Sequence, residues 1–214
     1  MEGCRSSSIS SCFAIVALFS LLVFTTNIKP SSGGDLPKNS TEFIRTSCQV
    51  TKYPRVCFNS LAAYASTIQT SPMELAHAAL SVTLSNLRST SATLSRILAR
   101  QGLKPREVGA IKDCIENICD SVDELNKSLK EMDYLKGPDF DFHMSNLQTW
   151  VSAAMTGEDT CMDGFSGYNM DGNVKNAVRS CMVKDTKLAS NALALINCLS
   201  STHVALTLMS FNGG

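Results

Sequence analysis

The sequence predicts an all-α fold, an up-down-up-down four-helix bundle preceded by a short disulfide-pinned helical hairpin. Apolar residues recur at alternating steps of three and four through four long segments. Short polar stretches rich in glycine and proline separate these segments, as is typical of antiparallel helices joined by tight loops. Cysteines also lie in pairs at positions that such a bundle would bring together.

Residues 1–31 are typical of a signal peptide. Arg5 supplies a basic start, and residues 12–24 form an apolar run interrupted only by Ser20. This run has the length of a signal-peptide core and is too short to span a membrane. We therefore expect a secreted protein with no membrane association once the signal peptide is removed.

Residues 32–40 read as a flexible lead-in, and residues 41–209 are expected to form one folded domain. Two of the nine cysteines would leave with the signal peptide, so that seven remain in an oxidising compartment. Asn39 and Asn126 each begin a glycosylation sequon, so both are candidate sites on the secretory route.

The segment from Glu42 to about Thr70 is too short for a fifth long helix. We expect short helices here, with a disulfide between Cys48 and Cys57 closing a tight loop. On the chain-entropy model this small ring stabilises the fold by about 3 kcal/mol.

The first long helix is predicted to begin at Ser71-Pro72, an N-cap followed by a first-turn proline, and to stop at Gly102. The second is predicted to run from Pro105 to Gly137-Pro138. Their apolar seams, the side chains expected to face the core, are Leu80, Leu84, Leu87, Ser91, Leu94 and Leu98 in the first helix and Ile111, Ile115, Ile118, Val122, Leu125, Leu129 and Met132 in the second.

A third helix is predicted before the glycines at 164, 167 and 172, and a fourth from about Val174 to Met209. Both keep the same periodicity. The third seam is Met144, Leu147, Val151, Ala154, Glu158, Cys161 and Phe165, and the fourth is Val178, Cys181, Leu188, Ala192, Leu195, Leu199 and Leu206.

Cys114 and Cys161 each lie about twenty residues from the polar break at residues 135–142. An antiparallel hairpin would bring them level, so we expect a disulfide that clamps the second long helix to the third. Cys119 lies on the other flank of its seam and should face the first long helix. Together with Cys181 and Cys198 on the fourth helix, it is expected to be a free thiol.

The composition and motifs point to binding rather than catalysis. The net charge is close to zero, which argues against a nucleic-acid partner. His77, His143 and His203 lie on separate elements with no further ligand at metal-binding spacing. No catalytic residue, metal site or cofactor is therefore expected, and the chain is not expected to be an enzyme.

Four sequence blocks resemble plant pectin methylesterase inhibitors, members of a family that also includes invertase inhibitors. The blocks are FIRTSCQVTKYPRVC at 43–57, DCIENICDSVDEL at 113–125, TWVSAAMTGEDTCMDGF at 149–165 and LASNALAL at 188–195. The resemblance implies an inhibitor domain over residues 41–209 with both disulfides named above. It also implies a secreted cell-wall protein that binds pectin methylesterase one to one, covers its substrate cleft and limits demethylesterification of homogalacturonan.

Two other functions fit the same resemblance. Invertase inhibitors typically carry a Pro-Lys-Phe element before the third long helix, and this chain has Pro138-Asp139-Phe140 there. The aspartate reverses the charge offered to an acidic glycosidase site, which favours the esterase as target. A non-inhibitory cell-wall protein of the same fold is the other alternative, because fold alone does not determine function.

We expect the partner-binding surface on the second and third long helices. The second helix carries an acidic stripe at steps of three and four, flanked by Lys127, and the Cys114–Cys161 clamp would bring the segment from Glu158 to Asp163 beside it. By resemblance, Glu116 and Thr160 are the best candidates for contacts. The full predicted set is Glu116, Asn117, Asp120, Asp123, Asp159, Thr160 and Asp163.

Overall fold

The computed structural model describes residues 38–167, 170 and 172–212, with side chains between residues 39 and 203 of that range. The predicted signal peptide, residues 32–37 of the predicted lead-in and the side chain of Leu206 lie outside the described residues. All regular secondary structure in the described range is helical. The elements are α1 (Lys38–Cys48), α2 (Pro54–Leu61), a 3-10 turn (Ala62–Tyr64), α3 (Ala65–Ile68), α4 (Pro72–Leu98), α5 (Pro105–Tyr134), α6 (Phe140–Asp163) and α7 (Asn173–Asn212).

The four long helices α4 to α7 form the predicted bundle. Each packs against its neighbours in the chain, and α7 closes the bundle by packing against α4. Short connections make successive helices antiparallel, so the up-down-up-down prediction is confirmed. None of the helices in the described part of the chain combines the length and apolar character needed to cross a membrane.

Helix α4 begins with the cap that the sequence predicts. The Ser71 hydroxyl accepts a hydrogen bond from the Glu74 backbone N–H at 3.3 Å, and Pro72 occupies the first turn. The helix ends at Leu98, and Gly102 then adopts a left-handed conformation (φ +84°) that few other residues tolerate. The predicted stop therefore lies in the turn itself, a few residues beyond the last helical residue.

Helix α5 begins at Pro105, where the Glu107 carboxylate accepts a hydrogen bond from the Lys104 backbone N–H at 2.8 Å. It ends at Tyr134, just before Gly137 and Pro138, which separate it from α6. The predicted seams of α5 and α6 are buried almost throughout. Ile118 and Leu147 are fully buried, whereas Leu129 is only partly buried against the core.

The N-terminal hairpin packs against α4 and α7. A disulfide joins Cys48 to Cys57 with a Cα–Cα distance of 5.7 Å, as predicted. The Asn191 side-chain amide pairs with the backbone of Tyr53, accepting from its N–H at 3.1 Å and donating to its carbonyl oxygen at 3.0 Å. Helix α1 begins at Lys38, so the last three residues of the predicted lead-in are helical.

The free cysteines agree with the prediction at two of three positions. Cys181 and Cys198 are free thiols on α7. Cys119 faces α4 as expected, with its sulfur 3.9 Å from the Ser91 hydroxyl oxygen. It is nevertheless in a disulfide, so the expectation of a free thiol was wrong there. That expectation rested on the absence of a cysteine from α4, the helix that Cys119 faces.

Candidate partner-binding surface

Helices α5 and α6 form a closely packed pair. The Cys114–Cys161 disulfide joins them with a Cα–Cα distance of 4.4 Å, which confirms the predicted clamp. One turn away, Gly157 of α6 lies against Asn117 of α5, where a β-carbon would come within 3.0 Å of the Asn117 carbonyl oxygen. The disulfide and the glycine contact together fix the position of one helix on the other, which gives a potential partner a rigid two-helix surface.

The outer side of α5 carries the predicted acidic stripe. Asp120 and Asp123 are exposed and Glu116 is half-buried. Partial burial raises the pKa of Asp120, the carboxylates of Glu116, Asp123 and Glu124 raise it further, and Lys127 opposes the shift. The mutual repulsion shows that negative charge is concentrated here, so a cationic surface placed against the stripe would relieve it.

Lys127, at the end of the acidic stripe, makes contacts that the sequence does not predict. Its Nζ is 3.0 Å from Glu124 Oε1 and 4.6 Å from the centre of the Trp150 ring on α6. The cation therefore bridges α5 and α6, and it places the half-buried Trp150 at the edge of the acidic surface. Sequence reasoning missed Trp150 as a contact residue, although a lone, partly exposed tryptophan is a common interface anchor.

The α6 residues of the predicted set divide between two sides. Thr160 and Asp163 are exposed, and the Thr160 hydroxyl donates to the Thr156 carbonyl oxygen at 2.9 Å, which leaves its own oxygen able to accept. Asn117 on α5 is half-buried. Asp159 lines a cleft between α6 and α7 that also contains Arg179, so it lies beside the cations of α7.

Glu158 is not part of the surface stripe. It is 1% exposed, and burial raises its pKa to about 8, with Asp185 contributing and the Thr186 hydroxyl opposing. The sequence pattern correctly places Glu158 in the apolar seam of α6. A side chain buried there cannot take part in the surface stripe.

His143 lies at the junction between α5 and α6. His143 Nδ1 lies 2.6 Å from Glu131 Oε2, and its ring stacks on Tyr134 with centroids 5.0 Å apart. Sequence reasoning found no carboxylate partner for His143 because Glu131 lies on the preceding helix, across the α5–α6 turn. Over the described residues, no three His, Cys, Asp or Glu side chains are grouped so that they could hold a metal ion.

The two predicted glycosylation sites differ in accessibility. Asn39 is exposed on α1, near the N-terminal end of the described chain. Asn126 is half-buried in the middle of α5, and its Oδ1 accepts a hydrogen bond from Arg88 Nη2 at 3.2 Å. Both sites remain predictions, and Asn39 is the more open of the two.

The fold and surface define the protein's class, a disulfide-clamped helical bundle with the fold of plant inhibitor domains. A crystal structure of a mutant pectin methylesterase inhibitor from Arabidopsis matches with a TM-score of 0.58 at 21% identity, covering 72% of this chain and 95% of that one. The family model described as plant invertase/pectin methylesterase inhibitor matches residues 42–195. The chain belongs to this family.

Closely related sequences cover most of this chain. Pectinesterase inhibitor 11 from Arabidopsis thaliana is 46% identical over 190 residues, which are 87% of this chain and 94% of that protein. A 21 kDa protein from Daucus carota is 47% identical over 167 residues, covering 77% of this chain and 86% of that protein. Each of these alignments therefore covers more than three quarters of this chain.

Proposed function

We propose that this protein inhibits pectin methylesterase by binding it in a one-to-one complex that covers the enzyme's substrate cleft. The observation that carries this proposal is the 46% identity to a pectinesterase inhibitor over nearly the full length of both chains. Such a complex would limit the removal of methyl groups from cell-wall homogalacturonan. Inhibition of this kind requires a complementary surface and no catalytic group, so the protein is not an enzyme.

The acidic surface on α5 and α6 is the proposed contact with the esterase. Glu116, Asp120 and Asp123 would attract a basic enzyme and orient it during encounter. Asn117 and Thr160 would supply short-range hydrogen bonds, since both are at least partly accessible and carry polar atoms that can reach a partner. The remaining contacts proposed from the sequence are Asp159 and Asp163.

We place the protein outside the cell, in the apoplast and cell wall. The proposed signal peptide at residues 1–31 provides the route, and residues 41–209 form the mature inhibitor domain. The disulfides Cys48–Cys57 and Cys114–Cys161 fit an oxidising compartment. Asn39 is the proposed site of glycosylation, and Asn126 is a second site that its position within α5 makes less accessible.

A titration with two enzyme classes tests the proposal. The purified mature protein is added to several plant pectin methylesterases and to a vacuolar invertase, while released methanol and glucose are measured. We expect esterase activity to fall linearly to a minimum at one equivalent of a sensitive esterase, with no loss of invertase activity. Inhibition of the invertase alone, or methanol released by this protein without an esterase, would overturn the proposal.

A further inference from the structure

A cleft of about 580 Å³ lies between α6 and α7, on a different side of α6 from the clamped face with α5. Lys175 and Lys187 line it together with the exposed Arg179, and Tyr53 contributes an aromatic ring from the loop before α2. The proposed interaction with the esterase makes no use of these four residues.

The cleft is cationic because of how charge is distributed on α7. Residues 173–187 carry four basic side chains and a single acid, Asp185, which is fully buried and hydrogen-bonded to Asn86 of α4. Among the described residues, Asp159 is the one exposed acid that lines the cleft. Within the described chain, neither Arg179 nor Lys187 forms an ion pair, and Lys187 Nζ lies 5.6 Å from the centre of the Tyr53 ring.

The basic residues follow the helix axis. Lys175 and Arg179 are one turn apart, and Lys187 is about two turns further along. At a rise of about 1.5 Å per residue, the three cations span about 18 Å. A linear ligand with repeated negative charges matches such a row better than a compact anion, which could contact only one or two of them.

The lining of the cleft includes a second feature that points to a ligand. The Glu158 side chain lines the cleft although it is 1% exposed. Neither of its carboxyl oxygens accepts a hydrogen bond of normal geometry from a described residue, although the Thr186 hydroxyl is near enough to offset part of the pKa rise. A buried polar group without a proper partner is costly, and a ligand hydroxyl or carboxylate in the cleft would satisfy it.

We propose that this cleft is a second binding site, which takes a short stretch of uronic-acid oligosaccharide such as demethylesterified homogalacturonan. Carboxylates along the chain would pair with Lys175, Arg179 and Lys187, and the protonated Glu158 would donate a hydrogen bond to the sugar. Tyr53 offers a ring against which a sugar face packs. The cleft and its charge are independent of the proposed inhibition, whereas the choice of uronate among polyanions rests on that function.

Such a site would hold the inhibitor on the product of the enzyme it inhibits. The acidic stripe on α5 would remain available to an esterase, because Asp159 is the one proposed esterase contact among the described residues that line the cleft. The protein would then be retained where carboxylates have already been exposed, close to active esterase.

Calorimetric titration with trigalacturonate, using the fully methyl-esterified trisaccharide as the uncharged comparison, tests the site. We expect the parent to bind the acid and not the ester. The double variant Arg179→Glu/Lys187→Glu should weaken binding at least tenfold. Lys184→Glu is the matched control, because Lys184 is an exposed cation on the same helix that lines a different groove, and it should change affinity less than twofold.

Three results would overturn the assignment. The parent could fail to bind trigalacturonate, Lys184→Glu could weaken binding as much as the double variant, or a sulfated oligosaccharide of equal length could bind as tightly as the uronate. The last result would indicate a general polyanion surface. Inhibition assays separate this proposal from the first, because the double variant should still inhibit esterase like the parent if both proposals are correct. If the parent binds uronate but does not inhibit esterase, only the proposed function is overturned.

The pH dependence of binding tests the role of Glu158. The groups that face it are Asp185 and Thr186 on α7 and Asp159 on its own helix. Lys175, Arg179, Lys187 and Tyr53 lie around the same cleft. Raising the pH toward 8 ionises Glu158 and places a negative charge beside the uronate, so the parent should lose affinity. Glu158→Gln should keep its affinity over the same range, and identical pH profiles for parent and variant would exclude the role.

Discussion

Gly157 of α6 lies directly against Ser121 of α5, where a β-carbon at residue 157 would be 2.5 Å from the Ser121 Oγ. The Ser121 hydroxyl is itself held between two carbonyl oxygens, those of Asn117 and Ala154, each at 2.9 Å. It cannot move aside without losing these contacts. A small residue at 157 is therefore a condition for the close approach of the two helices that carry the proposed esterase-binding surface.

Gly157→Ala should destabilise the bundle. The added methyl group would force α6 away from α5, at a cost of about 1–3 kcal/mol in the free energy of unfolding. Gly109→Ala is the control within α5, because nothing lies within 4 Å of its β-carbon position, and it should stabilise by about 0.5–1 kcal/mol. Denaturant unfolding of both variants measures the difference, and similar effects from the two would contradict the packing argument.

Glu116→Lys should weaken esterase inhibition. Reversing one charge in the acidic stripe removes an attraction and adds a repulsion, which we expect to cost about 1–3 kcal/mol of binding energy without unfolding the bundle. Added salt should also weaken inhibition by the parent. Lys187→Glu is the control on the far cleft and should leave inhibition unchanged. The surface is misplaced if Lys187→Glu abolishes inhibition while Glu116→Lys inhibits like the parent.

The bundle should lose stability as the pH rises from neutrality to about 8. Burial raises the pKa of Glu158 from 4.5 to about 8, so the folded state binds this proton more tightly than the unfolded state. The stability from protonation is fully present below about pH 4.5 and is lost as the pH rises through the folded pKa, a change on the order of a few kcal/mol. Asp185 contributes to stability in the same way at lower pH, because burial raises its pKa to about 6.

Glu158→Gln isolates this effect. Unfolding measured from pH 6.5 to 8.5 lies above the titration of Asp185, so the slope there belongs mainly to Glu158. The glutamine variant should flatten this slope, whereas Asp163→Asn, a neutral substitution at an exposed position of the same helix, should keep it. An unchanged slope in Glu158→Gln would show that the buried carboxyl is not the source.

Removal of the inter-helix disulfide should be the costliest of the cysteine changes. Cys114→Ala/Cys161→Ala opens a ring with a sequence separation of 47, which corresponds to about 4 kcal/mol on the chain-entropy model. Cys198→Ser, at an exposed free thiol, should stay within about 0.5 kcal/mol of the parent. Equal stability of all three proteins would mean that packing alone aligns α5 with α6.

The sequence predicts the helices well because strong local signals mark both their faces and their ends. Ser71 caps α4, Pro105 opens α5, and the seams alternate at steps of three and four. The Cys114–Cys161 pairing follows from the same information, since equal distances from one turn become equal heights in an antiparallel pair.

The side-chain partners were harder to predict. Periodicity gives the face of a helix that meets the core but not which neighbouring helix covers each flank. For this reason the contact of Lys127 with Trp150 and the pairing of His143 with Glu131 were missed. Glu158 shows the same limit, because its seam position indicated burial while its charge suggested the surface.

The pairing of Asn191 with Tyr53 has a consequence for how the chain assembles as it is made. The two residues are 138 positions apart, so at ordinary synthesis rates Tyr53 emerges on the order of ten seconds before its partner. The Cys48–Cys57 disulfide can form much earlier, because its cysteines are separated by only 9 positions. The hairpin can therefore close its disulfide early, but it reaches its final position against the bundle only after α7 has been synthesised.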